Sequence, residues 1–151
     1  MSASNAFESD LLLLILNNTN IANLGDAVGV RGSTAAGSVF VSLHTADPGD
    51  AGTQITSETT YTGYVRLAVV RSAAGWTISG TAPTQAANAA ILTFGACTAG
   101  PITLSHFAVG YLSSGAGNII VKGALSAPLA ITASPSITPN FPIGSLVATC
   151  D

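Results

Sequence analysis

VFVSLHTADPGDAG, residues Val39 to Gly52, holds both a strand and the turn that ends it. Val39, Val41 and Leu43 alternate with Phe40, Ser42 and His44, a period of two that marks a strand with one face in a core. At Ala46 the alternation stops. Pro48 pre-sets φ at a turn's second position, Gly49 accepts φ > 0, and the carboxylates of Asp47 and Asp50 can take backbone N–H groups around the turn. A buried strand therefore runs into a tight acidic turn with no helix after it, and the chain beyond follows the same plan.

Short apolar runs recur at close intervals: Val39–His44, Tyr64–Arg71, Gly75–Ser79, Asn88–Phe94, Thr103–Leu112, Asn118–Lys122, Leu125–Ile131 and Leu146–Thr149. Clusters of Gly, Pro and Ser separate them, and Ser113–Asn118 has the chemistry of a hairpin turn. This spacing predicts an all-β fold, a jelly-roll-like antiparallel β-sandwich of about eight strands. Upstream lie one short N-terminal helix and an extended arm. Asn5 and Glu8 are spaced as a capping box, helix formers follow to Leu16, and Asn17 and Asn18 end them. The helix is expected over Ala6–Leu16. Its apolar residues run unbroken from Leu11, wider than a one-sided stripe, so it packs on the sandwich and a neighbouring subunit or caps the end of its own domain. Thr19–Gly37 has no clear period and reads as a docking arm. The predicted division is 1–37, helix and arm, and 38–151, sandwich.

Composition bounds the function. Only 7% of the 151 residues are charged and the net charge is −3, against about 25% charged in an average soluble domain. A surface so poor in charge suits coverage by other protein copies. The four basic residues, Arg31, Arg66, Arg71 and Lys122, are scattered, which speaks against nucleic acid as a partner. The longest purely aliphatic run, Leu11–Leu16, is far short of a membrane span of about 20 residues and lacks the basic flank of a signal peptide, so no membrane is expected and synthesis in the host cytoplasm is. Cys97 and Cys150 lack the short spacing of a zinc site; they could pair, but two buried thiols are the expectation.

No motif for catalysis emerges, and neither an enzyme nor a cofactor is expected. His44 and His106 stand outside any nucleophile or metalloprotease context, and each is read as a structural hydrogen bonder. Asp47, Asp50 and Glu58 are weak candidates for a Ca²⁺ cage, though acidic residues beside Pro-Gly more often shape turns. Tyr61, Tyr64, Trp76 and Tyr111 are read as packing residues rather than a sugar platform, which leaves a carbohydrate-binding module the least favoured alternative.

Leu43-His-Thr-Ala-Asp-Pro-Gly-Asp-Ala-Gly52, followed by Glu58 and Gly63-Tyr64-Val-Arg66, resembles the LHTADPG…E…GGYAR signature of small tailed-phage virion proteins. The similarity continues through His106-Phe-Ala-Val, through Gly117 to Pro128, and into the closing Gly144-Ser-Leu-Val-Ala-Thr. Thr62 stands where the signature has the first of two glycines. The resemblance implies a non-enzymatic virion component. Two placements are weighed: a capsid cement or decoration protein on the head, which the short, repeat-free chain favours, and a small fibre or baseplate-associated tail protein. Expected partners are the major capsid protein or other virion proteins and further copies of the chain, as a trimer. The expected interface runs through Phe7, Leu11, Leu13, Leu14, Ile15, Ile21, Leu24 and Val28.

Overall fold

A computed structural model describes residues 3–22, 24–25, 29–30, 32–80 and 84–150, with Cys150 described by its backbone alone. Among these residues the chain forms one helix and nine strands in antiparallel sheets, an all-β fold consistent with the sandwich class. The elements in order are α1 (Asn5–Asn17), β1 (Ser38–His44), β2 (Leu67–Val70), β3 (Trp76–Ser79), β4 (Thr84–Asn88), β5 (Leu92–Thr93), β6 (Ile102–Gly110), β7 (Ile119–Ile131), β8 (Asn140–Phe141) and β9 (Val147–Cys150). They fall into two compact units, each assembled from separate parts of the chain.

The first unit comprises Met1–Ser38, Val70–Ile91 and Phe141–Asp151. Its sheet has the order β3-β4-β9, with both pairs antiparallel. Helix α1 packs on all three strands and buries Glu8, Leu12 and Leu16, which recur every four residues along one line. The N-cap lies one residue before the expected one: Ser4, not Asn5, caps the helix, its hydroxyl accepting from the Phe7 N–H at 3.3 Å, and the position a capping box reserves for Glu or Gln holds Phe7 instead. At the other end Asn18 takes the left-handed conformation, and Arg71 donates to two carbonyls of the last turn, Ile15 at 2.6 Å and Leu14 at 2.8 Å. A guanidinium at a helix C-terminus meets both the orphan carbonyls and the negative end of the dipole. The arm is tied down as well. Asn18 exchanges side-chain hydrogen bonds with the backbone of Ser33, and Ile21 pairs with Val30.

Strand β4 lies in a stretch read from sequence as a connection. Thr84-Gln-Ala-Ala-Asn88 has little β propensity of its own but pairs with β3 on one side and β9 on the other. The buried Asn88 amide closes this unit: its Oδ1 accepts from the Leu146 N–H at 2.9 Å, and its Nδ2 donates to the carbonyls of Ala90 and Pro142, both at 2.8 Å.

The second unit comprises Val39–Val69 and Leu92–Asn140. Its main sheet has the order β2-β1-β6-β7. Strand β1 runs antiparallel to β6 from Phe40↔Gly110 to His44↔His106. The expected hairpin is present: β6 turns through residues 111–118 into β7, with Gly110 opposite Ile119. The two strands read as Asn118–Lys122 and Leu125–Ile131 are one strand of 13 residues, interrupted by a register shift opposite Leu104 and His106. Gly123 marks no break. It faces Phe107, and a Cβ there would press into that ring. Val41, Leu43, Leu104, Ala108, Val109 and Ile131 are at most 1% exposed and form the heart of the unit's core. Cys97 is buried as a free thiol.

The helix line is the test of the first unit. Leu16 is 1% exposed and Phe7 43%. Leu16→Ala is expected to lower unfolding free energy by about 2–5 kcal/mol, and Phe7→Ala by under about 1 kcal/mol. Urea unfolding of both variants reads the difference.

Candidate functional site

The signature residues converge in the second unit. After β1 the chain turns at Asp47-Pro-Gly-Asp50, where Asp47 Oδ1 accepts the Gly49 N–H at 2.9 Å and Gly49 takes φ +73. It then returns beside β1. Thr45 N–H bonds the Ser57 carbonyl at 2.8 Å, Thr59 N–H bonds the Leu43 carbonyl at 2.9 Å, and Glu58 bridges to His44.

That return places Glu58 under Tyr64 and Arg66. Its Oε1 accepts from the Tyr64 hydroxyl and from Arg66 Nε, each at 2.7 Å, and its Oε2 accepts from Arg66 Nη2 at 2.7 Å. The Arg66 side chain is 3% exposed and that of Glu58 14%, so this is an ion pair withdrawn from water. Arg66 also donates to the carbonyls of Leu112 at 2.9 Å and Gly115 at 2.8 Å, binding the β6–β7 loop to the same point. The Glu58 hydrogen bonds raise the Arg66 pKa above its already high value. Burial pushes the Tyr64 phenol up as well. Tyr64 in turn accepts the Leu43 N–H at 3.1 Å and stacks on Phe94, centroids 6.1 Å apart.

Gln54, fully buried, fastens the same loop from the other side. Its Oε1 accepts the Leu112 N–H at 3.0 Å, and its backbone N–H bonds the Gly117 carbonyl at 2.8 Å. Sequence reasoning passed over Gln54, since a lone Gln in a polar turn carries no pattern. The turn glycine is indispensable where the signature keeps it. Gly63 has φ +104 and no room for a Cβ beside the Ala96 carbonyl; Thr62, at the departing position, is exposed and tolerates its side chain.

His44 and Ser42 sit side by side, Oγ to Nε2 2.8 Å, the contact a hydrolase would use. His44 Nδ1 faces the Thr56 carbonyl at 2.9 Å, so it carries the ring proton and Nε2 is the acceptor. Both residues are fully buried, so the pair joins strand to turn without meeting solvent. Burial lowers the His44 pKa below its ordinary 6.5. His106 lies half-buried beside Ser105, 2.9 Å from its hydroxyl.

The three calcium candidates are divided. Glu58 holds Arg66, whereas Asp47 and Asp50 hold Lys122 at 3.0 and 3.3 Å. No group of three His, Cys, Asp or Glu with metal-binding geometry is found among the described residues. Of the interface candidates, Phe7 and Leu24 are exposed, Leu11, Leu13, Leu14 and Ile15 half-buried, and Ile21 buried within its own unit. Val28 lies outside the described residues. Trp76 is fully buried, and Tyr61, buried, donates to the Gly95 carbonyl at 2.9 Å; Tyr111 is exposed.

A cleft of about 330 Å³ opens at this junction, bordered by Glu58, Arg66, Thr60, Val65, Ser113 and Ser114.

Removing one partner of the buried pair leaves the other charged and unmatched. Arg66→Ala is expected to lower stability by about 3–5 kcal/mol, and a double replacement of Glu58 and Arg66 by apolar residues by clearly less than the single change. Urea midpoints test this. The pH dependence follows from His44. Its folded pKa is depressed, so below 6.5 the unfolded chain takes up the proton first and stability falls as pH falls. Melting temperature is expected to decline from pH 6.5 towards pH 5, and His44→Gln to flatten that decline relative to the unchanged chain.

The sequence matches the Gp80 family, described as podophage GP4 fiber I protein gp80, over residues 2–149; the chain belongs to this family. No curated protein matches it. A fibre family makes this a phage virion protein. Among the described residues no helix is long and apolar enough to cross a membrane.

Proposed function

We propose that this fibre-family chain is a non-enzymatic structural part of the podophage fibre, carried on the tail side of the virion. The observation that carries the reading is the match to a fibre protein family over residues 2–149. It outweighs the cement placement that chain length and low charge had favoured, because a short, charge-poor β domain suits either location while the family is named for a fibre. The non-enzymatic part rests on the signature residues. Ser42, His44, Glu58 and Arg66 are buried or nearly so, and their polar atoms bind their own chain. In this reading the partners are other virion proteins and further copies of the chain, with a trimer as the expected oligomer.

Dissociated virions, separated into heads and tails, provide the test. The chain is expected in the tail fraction, at a few to some dozens of copies per particle by quantitative mass spectrometry. Recovery on heads in hundreds of copies would establish the cement role instead. Light scattering of the purified chain is expected to give the mass of a trimer.

A further inference from the structure

Ser42 has two acceptors within reach and one hydrogen to give. Its Oγ lies 2.8 Å from His44 Nε2 and 3.3 Å from the Ala108 carbonyl. With the ring neutral, Nδ1–H donates to the Thr56 carbonyl at 2.9 Å and Nε2 is a bare acceptor. The Ser42 hydrogen then goes to Nε2, and the Ala108 carbonyl is the acceptor it leaves aside. A hydroxyl combines one donor with two acceptor positions, and its hydrogen rotates about the C–O bond.

A proton added to His44 reverses these roles. Both ring nitrogens are then donors. Nδ1–H keeps the Thr56 carbonyl, and Nε2–H finds Ser42 Oγ at the same 2.8 Å. The Ser42 hydrogen, displaced from Nε2, swings to the Ala108 carbonyl. The ring gains one proton and the hydroxyl hydrogen only changes acceptor. Every N–H and O–H of the set has a partner in both states, and no heavy atom has to move. Ser42, His44 and Ala108 are each 0% exposed, so water cannot supply a missing partner, and an unmatched buried donor is most costly on a charged group.

The ladder sets this geometry. Ser42 stands opposite Ala108 and His44 opposite His106, two residues apart and therefore on one face of β1. The Thr56 carbonyl comes from the chain returning beside β1, so the set joins β1, β6 and that return. Three charged or titratable groups bear on the ring: Glu58, bridged to His44, favours the proton, whereas Arg66 and His106 oppose it.

We propose that Ser42 is a two-position hydroxyl switch that lets the folded chain take up a proton on His44 while β1, β6 and the return from the turn stay joined. Acid then charges a closed core instead of opening it. The consequence for stability has a definite sign. Burial holds the folded pKa of His44 below 6.5, so stability falls as pH drops through the unfolded value and levels off once the folded form also holds the proton. The switch brings that levelling to a higher pH than burial alone would allow.

The test follows the His44 ring and the backbone carbonyl carbons of the full-length chain by NMR, from about pH 7.5 down to about pH 4. In the unchanged chain His44 is expected to titrate while the folded signals persist. The Ala108 carbonyl is expected to shift at the same midpoint, and by more than those of Phe107 and Val109. Ser42→Ala removes one bond from either form of the ring, but the bond to the charged form is the stronger. Its His44 midpoint is therefore expected to fall by at least about half a pH unit. Three results would each overturn the proposal: protonation of His44 only as the folded signals vanish, an Ala108 response no larger than its neighbours', or a midpoint in Ser42→Ala that is unchanged or raised. Should Ser42→Ala not fold, the Ala108 carbonyl of the unchanged chain decides alone.

Discussion

A carboxylate and a guanidinium withdrawn from water hold the signature region in place. Between β1 and β2 the chain makes a long excursion with little regular structure, and such an excursion has backbone groups to satisfy and no ladder to satisfy them. Glu58 and Arg66 supply the anchor. Their mutual bonds, the Tyr64 hydroxyl and the carbonyls of Leu112 and Gly115 bring the outgoing turn, its return and the β6–β7 loop to one point. A buried pair of this kind is stable only with its remaining polar atoms matched, and here the loop carbonyls do the matching. The cleft, the loop geometry and the environment of His44 all follow from that constraint.

The scarcity of charge acquires a physical meaning from this arrangement. Each basic residue among the described ones is engaged by its own chain: Arg66 with Glu58, Lys122 with Asp47 and Asp50, and Arg71 with the C-terminal carbonyls of α1. The Arg66 pair is well sheltered and Arg71 is half-buried against the helix end, and both contribute to the folded state. The Lys122 pairs are exposed, and water screening leaves them little weight. With only 7% of residues charged, the surface offers mostly uncharged groups, among them exposed Ile55, Val65, Ile91, Tyr111 and Ile143. Recognition by such a surface proceeds through shape and neutral hydrogen bonding rather than long-range attraction.

In the proposed reading the motif that carried the sequence resemblance is an architectural one. Its residue types, Ser, His, Asp, Glu and Arg, are those of many active sites, and the Ser42–His44 contact has the right distance for one. What separates the readings is access. Both side chains are fully buried, and the second imidazole nitrogen faces the Thr56 carbonyl rather than a carboxylate. The sequence places His44 at a strand end beside an acidic turn and outside any catalytic motif, which reads as a structural hydrogen bonder, and its bonds to Ser42 and the Thr56 carbonyl agree.

Local pattern alone determined the class of fold, the single helix and the position of most strands. The alternation of Val39, Val41 and Leu43 against Ser42 and His44, the Pro48-Gly49 turn and the hairpin at Ser113–Asn118 are signals contained within a few residues, so no partner need be known to read them. Asp47 was legible as a turn former for the same reason. Tertiary structure decided whatever depended on residues distant in sequence. Thr84–Asn88 is a strand because β3 and β9 pair with it, not because its side chains favour one. Gly123 reads as a break but makes room for the ring of Phe107. Glu58, a calcium candidate beside two aspartates in sequence, belongs to Arg66 because the chain's return beside β1 brings its carboxylate within 2.7 Å of that guanidinium. Gln54 and Asn88, buried amides that fasten loops, gave no signal at all, since an amide is exposed or indispensable according to which backbone groups the fold brings within 3 Å of it.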